Sequence, residues 1–188
     1  VAVEVVPYSE QWPVRFAEVV TALSRALDGV PVVAIEHVGS TSVPGLPAKP
    51  ILDVDVIVRR PHVSAAIAAL VEAGYAHQGD LGLTDRECLS APDDDPRRNV
   101  YVCVESTLHV RNHLAVRDVL RARADLRERY GAVKTQLARR PEMDIDTYVE
   151  AKSGVLQEVL AASELSENER ATILAVNSRS DGSGEQPP

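Results

Sequence analysis

Apolar positions along this chain change period several times, and each change marks an element. Trp12, Phe16, Val19, Val20, Leu23 and Leu27 recur at steps of three and four, which predicts an amphipathic helix over 10–28. Ser9 stands ready to cap it, and Pro13 falls in its first turn, where a missing N–H costs little. "PVVAIEHVG" then reads as a strand ending at Gly39, "STSVPGLPAKP" as loop or a short helix, and "ILDVDVIV" as a second strand. "HVSAAIAALVEAG" is helical after Pro61 and closed by Gly74. Two weaker strands follow at "YAHQGD" and "RECLSA", a turn or loop at "PDDDPRR", and a β-branched strand at "NVYVCVE". From Thr107 the pattern is helical: Thr107 to about Arg139, Asp144 to about Ala162, and a patch over Asn168 to Val176. "NSRSDGSGEQPP" is polar and rich in Gly, Ser and Pro, the signature of a disordered tail.

Strands mixed with helices over 1–105, followed by helices over 106–163, predict an α/β (α+β) core with a mixed sheet and a helical C-terminal half packed on it. Residues 164–176 add a helical patch, and 177–188 the tail. The chain has 188 residues, 45% hydrophobic and 26% charged, enough to bury a core without disulfides or structural metal. A formal net charge of −8, with one Trp, five Tyr and one Phe, argues against a nucleic-acid binder, which needs a basic footprint and stacking surface. Apolar runs fall short of the ~18 residues of a membrane span. "VAVEVVPYSEQW" lacks the basic and apolar regions of a signal peptide, so the expected location is cytoplasmic. Cys88 and Cys103 fit neither a CxxC nor a zinc spacing; they read as buried free thiols, or as neighbours if both lie on strands.

The anomaly in the pattern is a pair of carboxylates inside an apolar strand. On a strand alternate side chains share a face, so Ile51, Asp53, Asp55 and Ile57 point one way and Leu52, Val54, Val56 and Val58 the other, into a core. Two strand steps put the aspartates roughly 7 Å apart. At an effective dielectric of 20 their charges repel by about 2 kcal/mol. Either the strand is half exposed and both are solvated, or a divalent cation sits between them; Mg²⁺ suits carboxylates plus substrate phosphates. The preceding turn favours the second. Gly39 allows close backbone approach, and Ser40, Thr41 and Ser42 offer hydroxyls and successive N–H groups suited to phosphate. A strand, Gly-Ser, about a dozen residues, and Asp-x-Asp on the next strand resembles the arrangement of the nucleotidyltransferase superfamily.

A longer match is carried by "IEHVGSTSVPGLPAKPILDVDVIV", which resembles the signature of the bacterial GrpB family, including the GrpB-like domain fused to some dephospho-CoA kinases. The resemblance extends through "PYSEQWPVRFAEV", "HLAVRDVLR", "YGAVKTQLA" and "YVEAKSGVLQEVL", about residues 5 to 162. It implies a nucleotidyltransferase-like core, with Gly39 and Ser40 holding nucleotide phosphates and Asp53 and Asp55 binding Mg²⁺. A later strand of such folds usually supplies a third carboxylate. Glu105 is the candidate here, against a plain solvated strand end. One departure stands out: many GrpB-like sequences carry an "HLHV" type segment where this chain reads "NVYV", so Asn99 and Tyr101 replace two histidines and cannot act as a neutral-pH acid–base pair.

Cationic and polar groups elsewhere admit two readings each. Arg117, beside Asp118, makes a helix-face ion pair or binds phosphate. Lys134 and Lys152, with Tyr148 one turn before Lys152, are surface residues or lie over a triphosphate; Lys49, between two prolines ahead of the aspartate strand, has the same choice. His109 and His113 share a helix face at zinc-like spacing but lack completing ligands. The expected activity is Mg²⁺-dependent transfer of a nucleotidyl group from an NTP to an unknown small acceptor, or ATP-driven ligation at the same site. The alternative is a non-catalytic nucleotide- or CoA-binding, or chaperone-like, module. The oligomeric state is not legible.

Overall fold

Period-two segments assemble into one sheet, and period-3.6 segments cover it. The computed structural model describes residues 4–138 and 145–180. Five strands, β1 (Val32–Val38), β2 (Leu52–Val58), β3 (Ala76–Gly79), β4 (Arg86–Ser90) and β5 (Arg98–Val104), lie in the order β1-β2-β5-β4-β3. β2 pairs antiparallel with β1 and parallel with β5, and the remaining pairs are antiparallel. The aspartate strand is therefore interior and buried along its length, not a half-exposed edge.

Its two faces part as the alternation requires. Leu52, Val54, Val56 and Val58 pack with Trp12, Val19 and Leu23 of α1 (Gln11–Ala26) and Ala66 and Leu70 of α2 (Val63–Glu72) in the largest core cluster. Each such side chain contributes roughly 1.5–3 kcal/mol by leaving water. On the other face Ile57, Tyr101 and Cys103 meet Val110 of α3 (Leu108–Ala122). Ser9 Oγ accepts the Gln11 N–H at 3.2 Å at the start of α1. The "PDDDPRR" turn is tied down by Arg98, whose guanidinium donates to both oxygens of Asp93 at 2.8 and 3.0 Å. Both cysteines are free thiols on neighbouring strands, Cys103 buried and opposite Arg86, Cys88 opposite Tyr101.

The helical half departs from expectation in two places. The single helix over 107–139 is two, α3 and α4 (Ala124–Ala138), broken at Arg123 with an extended backbone (φ −109°, ψ 95°). The break lets α3 lie on the sheet while α4 turns toward α5 (Ile145–Ala161); Leu120, Leu126, Tyr130, Val155 and Val159 close over Val43 and Leu46 of the loop before β2. Arg127 donates to the carbonyls of Leu120 and Arg121, satisfying α3's C-terminal acceptors. The final helix, α6 (Glu167–Ser180), runs four residues past Val176 into the stretch expected to be disordered. Ser166 and Glu169 start it with a reciprocal cap, Ser166 N–H to Glu169 Oε2 and Glu169 N–H to Ser166 Oγ, and Gly and Pro do not interrupt it before residue 181. Residues 181–188 lie outside the described residues. Among the described residues no helix is long and apolar enough to cross a membrane.

Candidate active site

The site is built where the end of β1 meets the start of β2. Val38 pairs with Asp53, so the next residue, Gly39, lies against the Asp53 carboxylate. A Cβ at Gly39 would stand 2.3 Å from Asp53 Oδ2, and the backbone there has φ +67°. Glycine is required twice over, by contact and by conformation. The chain then makes a short 3-10 turn over Ser40–Ser42.

That turn uses most of its own hydroxyls. Thr41 and Ser42 are buried. Thr41 Oγ1 donates to Ile51 O at 3.2 Å and Ser42 Oγ to Gly39 O at 2.6 Å. Having given its proton away, Thr41 Oγ1 accepts from His37 Nε2 at 3.0 Å, which fixes the imidazole tautomer. His37 stacks on Phe16, with ring centroids 4.5 Å apart. Burial, aided by Arg121 and Arg117, pushes its pKa down to about 4, so it is neutral at pH 7. The Thr41 and Ser42 hydroxyls donate within the loop and shape it. Ser40 differs, since Lys134 Nζ of α4 donates to its Oγ at 2.5 Å. Lys134 Nζ also lies 5.6 Å from the centre of the Tyr130 ring.

Asp53 and Asp55 share the face covered by α3. Asp53 is 7% exposed and Asp55 wholly buried. Asn99 Nδ2 of β5 donates to Asp53 Oδ1 at 2.9 Å. Burial pushes the Asp53 pKa up to about 6, against the downward pull of the Asn99 hydrogen bond and His113. Asp55 Oδ2 lies 2.8 Å from His113 Nδ1 of α3, while Asp55 Oδ1 is buried with no hydrogen-bond partner among the described residues. Burial alone would lower the His113 pKa; the charge and hydrogen bond of Asp55 outweigh it, and the net shift is upward. Burial, then the charge of Asp53, raises the Tyr101 phenol.

The other expected residues divide. Arg117 is engaged within the protein, donating to Glu36 Oε2 at 2.6 Å, His37 O at 3.2 Å and Asp118 Oδ1 at 2.8 Å. These contacts make the ion pair with Asp118 and widen it to a clamp on β1. Arg121, not singled out beforehand, donates twice to Ser42 O, at 3.0 and 2.8 Å, and pins the turn. Glu105 is not brought to the aspartates. The parallel register sets Asn99 beside Asp53 and Tyr101 beside Asp55. Glu105 comes four residues later, roughly 13 Å along the strand, and pairs with Arg59 at 3.2 Å. Lys49 is half-buried just ahead of β2. Tyr148 and Lys152 fall on α5, with side chains outside the described residues.

Two carboxylates, not three, therefore form the site, and among the described residues no group of three or more His, Cys, Asp or Glu converges on a metal position. The pair still fits a hard divalent cation. The unpartnered Asp55 Oδ1 is an open ligand position, and Mg²⁺ is commonly held by one or two carboxylates with substrate phosphates completing its shell. Asn99 and His113 hold the two carboxylates. The "NVYV" departure and the helix-face histidines were the sequence signals for both, but neither signal assigned a role.

A mixed sheet followed by helices, with an Asp-x-Asp strand inside the sheet, is a nucleotidyltransferase-like fold. Cid1 poly(U) polymerase bound to MgATP has the same fold, at TM-score 0.60 and 12% identity over 87% of this chain and 54% of that one. Within that class the chain belongs to the GrpB family, whose model (GrpB protein) matches residues 2–162. The conserved protein GrpB from Enterococcus faecalis is similar in structure at TM-score 0.70, with 32% identity, covering 84% of this chain and 98% of that one. The UPF0157 protein YqkA of Bacillus subtilis is 30% identical over 151 residues, 80% of this chain and 44% of that protein. A dephospho-CoA kinase of Mycolicibacterium paratuberculosis is 30% identical over 177 residues, 80% of this chain and 43% of the kinase. The chain thus spans less than half the length of these two relatives.

Proposed function

We propose that this protein is a Mg²⁺-dependent nucleotidyltransferase acting on an NTP and a small acceptor. The observation that carries the reading is the buried Asp53–Asp55 pair with one oxygen left unpartnered, set against a Gly-Ser turn that a lysine reaches. Mg²⁺ held by the two carboxylates would neutralise charge on the phosphates and steady the leaving pyrophosphate. The chain supplies the rest. Asn99 and His113 orient the carboxylates, Gly39 keeps the turn close to Asp53, and Ser40 with Lys134 receives the phosphates. The acceptor oxygen or nitrogen attacks the α-phosphorus in line. The bond from that phosphorus to the bridging oxygen breaks, pyrophosphate leaves, and a carboxylate of the pair takes the acceptor's proton. ATP-driven ligation would use the same first step.

A second reading, a nucleotide- or CoA-binding module without turnover, is favoured by one feature. Asn99 and Tyr101 stand level with the aspartates, where a third carboxylate would be wanted. The likeness to dephospho-CoA kinases supports a partner of that kind. Calorimetric titration of Mg·ATP and Mg·GTP into the protein and into an Asp53→Asn/Asp55→Asn variant tests both. Metal-dependent binding lost in the variant, with pyrophosphate released on adding acceptors, supports the enzyme. Binding without turnover across an acceptor screen supports the module. Absence of binding to the folded wild type overturns both.

A further inference from the structure

Among the described residues Arg86 has no ion-pair partner. It sits on β4 with its side chain on the aspartate face of the sheet, 6% exposed, and its Nε is buried with no hydrogen-bond partner. Among the described residues no carboxylate forms an ion pair with it, and most of the nearest ones face other partners. Asp85, one residue before, receives both Arg60 nitrogens at 2.6 and 2.8 Å. Glu87, one residue after, points to the other face and pairs with His77 at 2.7 Å. Glu105 is paired with Arg59, and Asp55 turns one oxygen to His113. What Arg86 does touch is the face of Tyr101, its guanidinium carbon 4.6 Å from the ring centre. A buried cation costs several kcal/mol unless an anion meets it, and a cation–π contact repays only part.

Along β4 the same face is less covered than at Arg86 itself. α3 lies over β1 and β5, and the β4 residues on the same face beyond it are open: Cys88 is half-buried and Ser90 exposed. Tyr101 forms the floor, and His109 and His113 stand on the same face of α3. Arg86 is two strands from β2, roughly 10 Å from the aspartate strand. A small molecule reaching from one to the other lies across Tyr101.

We infer that Arg86, with Tyr101 beneath it, is a binding site for an anionic group, a carboxylate or a phosphate, carried by the acceptor substrate. The anion site rests on Arg86 and its surroundings alone. Its assignment to the acceptor rests on the nucleotidyltransferase reading.

Thermal unfolding of the whole chain in sodium phosphate and in sodium succinate, each against sodium chloride of equal ionic strength, tests it. Wild type is expected to gain about 3–6 °C in Tm at ten times the anion's Kd. The Arg86→Met variant is expected to fold, to be no less stable than wild type in chloride, and to lose the gain. A phosphate-only response assigns a phosphorylated acceptor, and a succinate response a carboxylate. No gain in wild type up to 50 mM (about the upper range of specific small-anion binding sought here), or an equal gain in Arg86→Met, overturns the site. The two readings separate cleanly. The Asp53→Asn/Asp55→Asn variant should keep the anion response while losing Mg·ATP, and Arg86→Met should keep Mg·ATP while losing the anion response.

Discussion

Asp53→Asn should make the metal-free protein more stable, although it removes a residue at the centre of the site. Asp53 is 7% exposed, and burial lifts its pKa from 3.8 to about 6. Roughly two pK units at 1.36 kcal/mol each put the cost of the ionised carboxylate at about 3 kcal/mol. Asparagine carries no charge, and its Oδ1 can still accept from Asn99 Nδ2, now 2.9 Å from Asp53 Oδ1. For a chain of this size the gain corresponds to a Tm rise of about 6–12 °C. The sign with pH follows from the raised pKa. The folded state binds the proton more tightly than the unfolded, so the cost is absent below about pH 4 and complete above about pH 6. Calorimetric or urea unfolding in EDTA at pH 7.5 should show the full advantage of the variant, and at pH 4 almost none. Adding Mg²⁺ at pH 7.5 should stabilise wild type and leave the variant unchanged. A variant less stable than wild type at pH 7.5 in EDTA would refute the reasoning, because the carboxylate would then be a structural asset and not a charge held in readiness.

Gly39→Ala should destabilise by at least about 3 kcal/mol, since its Cβ would meet Asp53 Oδ2 at 2.3 Å on a strand that cannot retreat; a Tm within 2 °C of wild type, small on the scale of such changes, would count against the close approach. His113→Ala takes from the wholly buried Asp55 its one hydrogen-bond partner among the described residues and should cost about 3–5 kcal/mol, with Asp55→Asn in the same background recovering most of it. His37 has its pKa pushed down to about 4 by burial, so the unfolded chain takes up the proton first as pH falls. Relative to His37→Gln, wild type should lose about 3 kcal/mol between pH 6.5 and pH 4, measured by urea midpoints at each pH, and none above pH 7.

Alternation in "ILDVDVIV" by itself determined that Asp53 and Asp55 share one face and that Leu52, Val54, Val56 and Val58 fill a core on the other, because strand geometry is local. The same local logic delivered α1, the Gly39 turn and the order of strands and helices. Parity also placed Glu105 on the face of Tyr101, but parity says nothing about level. Only the parallel register of β2 on β5 decided that Asn99 and Tyr101, not Glu105, stand beside the aspartates. Thr41 and Ser42 looked available because their acceptors, Ile51 O and Gly39 O, are defined only once the loop closes. The periodicity over 107–139 ran unbroken because a 3.6-residue repeat records that a face is buried, not what it is buried against; the break at Arg123 comes from α3 and α4 facing different neighbours. His113 on Asp55, Lys134 on Ser40 and the solitary Arg86 each join or separate residues far apart in the chain. Their chemistry was in the sequence, and their partners were set by packing.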